Sequence, residues 1–333
     1  MNRILVFGLL CLQISCISQE QKKINGVSFV AAKIEVAQKH VDEILELNAN
    51  NAAVMPFGFI ENTNSPKILF NTDRQWFGET KKGTEQYINM LHKNGVAVLV
   101  KPQIWIWRGE YTGTLEMKSE EEWKQLEDSY RNFIITYAKV AEQTNAEIFC
   151  IGTELEKFVE NRQQYWIELI NEIRQVYSGK LTYAANWDEF SKIPFWQNLD
   201  YIGVDAYFPL SEKQSPTLEE LKTGWRKWKV SMEKISKQYN KPVLFTEFGY
   251  RSMDYTAKKP WLVDRNDEKV NFVAQVNATQ VIIDEFWSED WFAGGYLWKW
   301  FIDHKKSGGA NDNRFTPQNK PAEETIRVLY KKY

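Results

Sequence analysis

Between residues 26 and 300 the chain repeats one device eight times: a short apolar or β-branched run, separated from the next by a longer stretch of helical spacing. The strand candidates are residues 26–31, 53–60, 96–107, 147–155, 181–187, 201–208, 242–250 and 294–300. Between them, Leu218, Leu221, Trp225, Trp228, Met232, Ile235 and Tyr239 recur at the three- and four-residue spacings of one buried helix face. Trp123, Leu126, Tyr130, Phe133, Tyr137 and Val140 follow the same rule, and Val270, Val273, Val276, Ile283 and Phe286 outline a third helix. Strands that alternate with helices give a parallel sheet of the α/β class. Closure into a single (β/α)8 TIM barrel fits the 333-residue length, because such a barrel takes about 250 residues before insertions. Two small domains would fit the length, and an open doubly wound sheet would fit the pattern. However, no linker divides the chain, and no Gly-rich phosphate loop follows the first strand. One catalytic domain over residues 24–333 is the expectation.

Ahead of it, Arg3 precedes an apolar run over residues 4–12, too short to span a bilayer as a finished helix. Leu12-Gln13-Ile14-Ser15-Cys16 then resembles a bacterial lipoprotein box, with Gln13 where Leu is usual. Residues 1–16 are therefore expected to be an export signal. Cys16 would be the lipidated residue that attaches the protein to the outer membrane or cell surface; a periplasmic or secreted protein is the alternative. Cys11 and Cys16 belong to this segment, which leaves Cys150 alone in the body, without an intrachain partner and in an apolar run. A net charge of −2 supplies no basic field for nucleic acid.

In a closed barrel the active site forms at the C-terminal ends of the strands. Two glutamates stand there. The fourth candidate strand reads Ile148-Phe149-Cys150-Ile151-Gly152-Thr153-Glu154-Leu155, and alternation puts Cys150, Gly152 and Glu154 on one face. The seventh reads Val243-Leu244-Phe245-Thr246-Glu247-Phe248-Gly249-Tyr250, with Val243, Phe245 and Glu247 on one face. A carboxylate ending a buried strand is costly unless it is hydrogen-bonded or functional. An ion pair with a nearby cation such as Arg251 would account for one such residue; two at one barrel mouth point to paired carboxyl chemistry. Glycoside hydrolysis needs such a pair, one neutral group to protonate the leaving oxygen and one ionised group to attack carbon or activate water.

At these residues the chain resembles the clan of retaining barrel glycosidases, and within it glycoside hydrolase family 113, whose characterised members are mainly β-1,4-mannanases. The resemblance spans nearly the whole mature chain. It is carried by Gly152-Thr153-Glu154-Leu155, Phe245-Thr246-Glu247-Phe248-Gly249-Tyr250, Gly203-Val204-Asp205-Ala206-Tyr207, Tyr296-Leu297-Trp298-Lys299-Trp300 and Phe315-Thr316-Pro317-Gln318-Asn319-Lys320-Pro321-Ala322. It implies Glu154 as acid/base, Glu247 as nucleophile, a polysaccharide or oligosaccharide as substrate, β-1,4-mannan or glucomannan foremost, and Trp298 beneath the sugar at the cleavage point. Much of the wider clan places Asn directly before the acid/base, to hold the sugar 2-hydroxyl; here that position is Thr153, and the contact is unassigned. A β-glucan or xylan would suit the same mechanism, and a silent glycan-binding barrel is the non-enzymatic alternative.

The remaining substrate-binding candidates follow from position. Tyr207 shares a face with Asp205 and is placed to hydrogen-bond the Glu247 carboxylate. Asp205 itself points inward, where it would tie strand ends together. Asn186 ends the fifth strand and offers a polar group to the mouth. With 14 Trp, 15 Tyr and 19 Phe, aromatic rings must serve both core and surface. Trp105, Trp107 and Trp187 after strands, and Trp76 and Trp261 in loops, are platform candidates. Lys101, inside the third strand, is expected to reach the cleft, since a buried lysine needs a partner. His40 and His92 are expected on helix surfaces, and His304 near substrate. The three lack metal-ligand spacing, so neither a metal nor another cofactor is expected. The run from Gly308 to Asn313 looks like a flexible turn, though its acidic and amide oxygens leave weak Ca²⁺ binding open.

Overall fold

The chain forms a closed ring of eight parallel strands. The computed structural model describes residues 22–262 and 269–333, so the export signal expected over residues 1–16, with Cys16, lies outside the described residues. The order is β1 (Ile24–Phe29), α1 (Gln38–Glu46), β2 (Asn51–Val54), β3 (Phe57–Ile60), α2 (Lys81–Lys93), β4 (Ala97–Val100), β5 (Gln103–Ile106) and α3 (Glu120–Gln143). It continues with β6 (Ile148–Thr153), α4 (Glu156–Asn161), α5 (Gln163–Val176), β7 (Lys180–Asn186), β8 (Ile202–Asp205), α6 (Leu218–Tyr239), β9 (Val243–Phe248), α7 (Phe272–Phe286), β10 (Phe292–Trp300) and α8 (Pro321–Lys332). The barrel runs β1-β2-β4-β6-β7-β8-β9-β10 and closes on β1. This is the (β/α)8 TIM barrel that the alternation predicts.

Two candidate strands prove to be four. The run 53–60 breaks after Val54, and the run 96–107 breaks after Val100; each break carries a proline, Pro56 and Pro102. Proline has no N–H to give a ladder, so neither strand continues through it. The chain resumes as β3 and β5, which pair with each other in parallel from Phe57↔Gln103 to Ile60↔Ile106, outside the barrel sheet. That extension rises from the C-terminal ends of β2 and β4, the end at which the site forms.

The helices follow local sequence. Thr217 caps α6: its hydroxyl accepts from the Glu220 N–H at 3.3 Å, and the Glu220 carboxylate accepts from the Thr217 N–H at 3.0 Å. Asn240 ends α6 in the left-handed conformation. Leu221, Trp225, Met232 and Ile235 form its buried face, as their spacing predicts. The third periodic set is borne out at Ile283 and Phe286, both buried in α7, and corrected in its first part. Val270 precedes α7 and Val273 is 62% exposed, whereas Ala274, Ala278, Val281, Ile282 and Phe286 are buried. Small alanines, which carry little hydrophobic signal, make the inner face.

Much of the aromatic content is core. Trp166, Trp196, Trp225, Trp287 and Trp300 are wholly buried. Trp225 packs edge-to-face on Phe286 at 4.9 Å and on Phe208 at 5.3 Å, and stacks on Phe245 at 6.3 Å, fastening α6 to β9 and α7. Cys150 is buried and free, and burial pushes its thiol up to about 11, consistent with an inert side chain. His40 departs from expectation: it is 8% exposed and accepts the Ala37 N–H at the start of α1.

Truncating Trp225 to Ala should lower unfolding stability by about 3–5 kcal/mol, the usual cost of emptying a large core site. Trp107→Ala, at a residue 67% exposed, should stay within about 0.5 kcal/mol. Urea unfolding of both variants reads the contrast; equal losses would contradict this division of core from surface.

Candidate active site

The floor of the barrel mouth is organised by one cation. Lys101 directly follows β4 and precedes Pro102; its side chain is fully buried. Its ammonium donates to Glu247 Oε1 at 2.5 Å and to both carboxylate oxygens of Asp205 at 3.2 Å. Asp205 ends β8 and also accepts the Thr246 hydroxyl at 2.7 Å. Glu247, on β9, receives two further donors: Gln103 Nε2 on Oε1 at 3.0 Å and the Tyr207 hydroxyl on Oε2 at 2.7 Å. Unpaired, any of these charges would be prohibitively costly to bury, and together they compensate one another. Burial alone would lower the Lys101 ammonium, but the carboxylates of Asp205 and Glu247 outweigh it and hold it above its ordinary value. Burial, and then the Glu247 charge, push Asp205 up to about 7 against the pull of Lys101 and Thr246. Burial and Glu247 likewise raise the Tyr207 phenol, so it is a donor throughout the physiological range.

Glu154 stands in a different environment. The β6–β7 ladder is irregular between Cys150 and Thr153, and Glu154 takes φ 50°, a left-handed conformation that is strained for a non-glycine residue. The turn, rather than plain alternation along β6, therefore aims this side chain. Three bonds fix it: the Glu154 N–H to Ala184 O at 2.8 Å, the Thr112 hydroxyl to Glu154 O at 3.1 Å, and the Leu155 N–H to the Tyr183 hydroxyl at 2.8 Å. Among the described residues no hydrogen bond reaches the carboxyl itself. Burial first, then the negative charges of Asp205 and Glu247, push it well above the usual carboxylate range, with Lys101 opposing. Two carboxyls thus share one mouth, one surrounded by donors and the other without them and pushed toward its neutral form by burial and its acidic neighbours.

Both line a cleft of about 420 Å³. Of the expected binding residues, Tyr207, Asn186, Trp187 and Trp298 line it too, as does Trp261. Asn186 gives an N–H to the Tyr111 hydroxyl at 3.0 Å and takes the Trp187 N–H on Oδ1 at 2.9 Å, so its orientation is fixed. The Trp187 ring stacks on Trp261 at 4.8 Å and meets Trp228 edge-on at 5.5 Å. Four expectations are corrected. Lys101 does not reach the cleft surface, because its ammonium is spent on Asp205 and Glu247 below it. Trp105 and Trp107 are exposed on the β5 extension, outside the lining of this cleft. His304 turns away from the cleft to Glu323, at 2.9 Å. Trp76 is also outside, with the Lys33 ammonium over its ring.

Sequence reasoning missed four members of the site. Gln103 is, with Lys101, one of two polar side chains in the apolar run 96–107, and that was the available signal. Tyr111 and Asp188 sit in loops after the third and fifth barrel strands, where only position marks them. Phe315, packed edge-on to Tyr207 at 5.8 Å, belongs to a tail segment singled out only by resemblance. No group of three or more His, Cys, Asp or Glu residues suited to a metal occurs among the described residues.

The model of Glycoside Hydrolase Family 113 matches residues 31–320. A solved complex of a GH113 β-1,4-mannanase superposes with a TM-score of 0.81 at 23% identity, covering 94% of this chain and 100% of that one. The GH113 β-mannanase AaManA from Alicyclobacillus acidocaldarius, in complex with ManMIm, gives 0.82 at 23% identity, covering 94% and 98%. A β-glucuronidase from Faecalibacterium prausnitzii shares the fold more distantly, with a TM-score of 0.61, 14% identity, and coverage of 93% and 49%. No curated protein matches the chain.

The Glu154 environment has a thermodynamic signature. A carboxyl raised in the folded state binds its proton more tightly there than when unfolded. Its contribution to stability is therefore greatest below its unfolded value and is lost as pH rises through the folded one. Glu154→Gln removes that loss. The variant should melt above the wild type at neutral and higher pH, with the gain shrinking as pH falls toward the ordinary glutamate range. Thermal melts across pH check this; a variant less stable at pH 8 than at pH 4, relative to wild type, would reverse the sign.

Proposed function

The chain belongs to glycoside hydrolase family 113 and is a glycoside hydrolase acting on polysaccharide or oligosaccharide; from that premise we propose retaining cleavage of a β-linked glycan, endo-β-1,4-mannan or glucomannan foremost. The observation that carries the mechanism is the contrast between the two cleft carboxyls. Glu247 is met by a cation, an amide and a phenol, a set that suits a carboxylate's negative charge. Glu154 has no such donors and is held neutral by burial and its acidic neighbours.

In this reading, Glu154 gives its proton to the departing glycosidic oxygen while Glu247 attacks the anomeric carbon, and a covalent glycosyl-enzyme forms. Once Glu247 is esterified, its negative charge is gone, and with it part of what keeps Glu154 protonated. The now ionised Glu154 takes a proton from water, the water oxygen attacks the anomeric carbon, and Glu247 leaves as carboxylate. Two inversions give net retention. Lys101 holds Glu247 in line without touching sugar, and Tyr207 fixes the second oxygen. Trp298 is the platform for the sugar at the cleavage point, with Asn186, Trp187 and Trp261 serving sugars along the cleft. The preference for mannan is supported by the family and by the structural neighbours named as β-mannanases.

On β-mannan, glucomannan, β-glucan and xylan, the purified protein should release a ladder of oligosaccharides chiefly from the mannans, with β-anomers as first products by NMR. Glu247→Ala should abolish turnover while glycan binding persists, and Glu154→Gln should lower kcat by about 10²–10⁴-fold. Full activity in either variant, or first products of inverted configuration, would refute the assignment. The N-terminal sequence supports export with lipidation at Cys16. The mature protein from its native membrane fraction should begin at Cys16 with the mass of attached acyl chains; an unmodified N-terminus elsewhere would make it a plain secreted enzyme.

A further inference from the structure

The charges on the cleft walls are unevenly matched. The residue after Trp298 is Lys299, at the cleft end of β10, and it is largely withdrawn from water. Its ammonium lies 5.1 Å from the centre of the Trp298 ring and 5.2 Å from that of Phe301. Among the described residues no carboxylate pairs with it and no acceptor takes its protons. The nearest opposing charge it feels is Glu247, which is already engaged by Lys101, Gln103 and Tyr207. Ring faces attract a cation but do not replace the water it has lost. Burial accordingly lowers this ammonium below its ordinary value.

A second cation adjoins it. The segment that follows β10 is zipped to residues 314–318: Gln318 accepts the Phe301 N–H at 2.8 Å and donates to Phe301 O at 2.9 Å. Phe315 in that segment lines the cleft. Arg314, its neighbour, is exposed, close enough to Lys299 for the two charges to repel, and likewise without an acidic partner among the described residues. The carboxylates nearest these two cations among the described residues are already committed, Glu247 to Lys101 and Asp312 to Lys320 at 2.6 Å and to the Arg314 backbone N–H at 2.8 Å, and an anion beside the cleft would relieve the excess positive charge. The acidic lining residue Asp188 lies beyond β7, where the opposite charge would repel that anion.

We propose that Lys299 and Arg314, the sequence neighbours of the cleft-lining Trp298 and Phe315, form an anion-recognition corner at the β10 edge of the cleft, which takes a carboxylate or sulfate borne by a sugar of the glycan next to the one over Trp298. The substrate is then an acidic β-glycan, with uronic acid or sulfated units near the scissile bond. This rests on the reading that glycan crosses Trp298. The guanidinium presents a planar fork suited to a carboxylate, and the ammonium adds a point charge from the cleft side.

The test uses the full-length protein carrying Glu247→Gln, so that oligosaccharides bind without being cleaved. Calorimetry compares a neutral β-1,4-manno-oligosaccharide with the same backbone bearing glucuronic acid, and with a sulfated form. At low salt the charged ligand should bind at least about ten-fold tighter than the neutral one, and the advantage should shrink as salt rises. Arg314→Met and Lys299→Met should each remove most of that advantage, and Lys299→Arg should retain it. The carboxylate and sulfate arms identify which anion is preferred. Equal affinity for charged and neutral ligands, no binding of any, or a salt-independent advantage surviving both Met variants overturns the corner. Turnover of neutral mannan by the wild-type protein is read separately. If mannan is cleaved without any acidic preference, this proposal alone fails; if acidic ligand binds in the salt-dependent manner but mannan is not cleaved, the mannan reading fails and the corner stands.

Discussion

A buried lysine between two carboxylates sets the terms for the rest of the barrel mouth. Lys101 is reached only because β4 stops at Val100 and Pro102 prevents the ladder from continuing. Its ammonium ties that strand end to Asp205 on β8 and Glu247 on β9, on the far side of the barrel. An ion set of this kind is poor evidence for overall stability, because desolvation consumes most of the attraction. What it does supply is position. Glu247 can move away from Lys101 only by leaving a buried cation exposed to Asp205 alone, and Gln103 and Tyr207 close the remaining directions. A carboxylate held from three sides is preorganised, as the proposed attack on an anomeric carbon requires.

The second carboxyl depends on the first. Glu154 is raised by burial first and then by the negative charges of Asp205 and Glu247, so the state of Glu247 contributes to how tightly it holds its proton. Covalent capture of a sugar by Glu247 would cancel one of those charges and return Glu154 toward ordinary acidity, which is the change of role that the second half of a retaining reaction requires. The backbone at Glu154 is left-handed, and its carboxyl takes none of the donors that surround Glu247. A relaxed side chain bonded to Lys101 would be ionised and could no longer act as an acid.

Sequence reading reached the frame and the two carboxyls because both signals are local: strand runs, helical spacing, and charge at the end of an apolar strand. It went astray where geometry is collective. Pro56 and Pro102 were legible as strand breakers, yet residues 53–60 and 96–107 read as single runs because apolar character continues across them. The inner face of α7 was misassigned because alanines carry it while Val273 points to solvent. Lys101 was placed on the right strand with the right requirement for a partner, but its partners come from β8 and β9, which only closure of the barrel brings near. Tyr111, Asp188 and Phe315 come from loops whose paths no periodicity describes. Among the aromatics, Trp187 and Trp298 enter the cleft whereas Trp105 and Trp107 do not. Trp105 stands on the β3–β5 extension and Trp107 directly after it, beyond the ends of the barrel strands.

That extension also bears on how the missing polar contact can be made. With Thr153 before Glu154, the chain lacks the amide that related barrels use to hold the sugar 2-hydroxyl. Two amides do enter the site from elsewhere. Gln103, lifted on β5, gives an N–H to Glu247, and its position is governed by that bond. Asn186, at the end of β7, is oriented by Tyr111 and by the Trp187 N–H, which leaves one of its N–H groups and one carbonyl lone pair unspent. An amide whose rotamer is fixed by two internal bonds presents its remaining donor at little entropic cost. Asn186 therefore has the capacity that Thr153 lacks, and it faces the same cleft from the neighbouring strand.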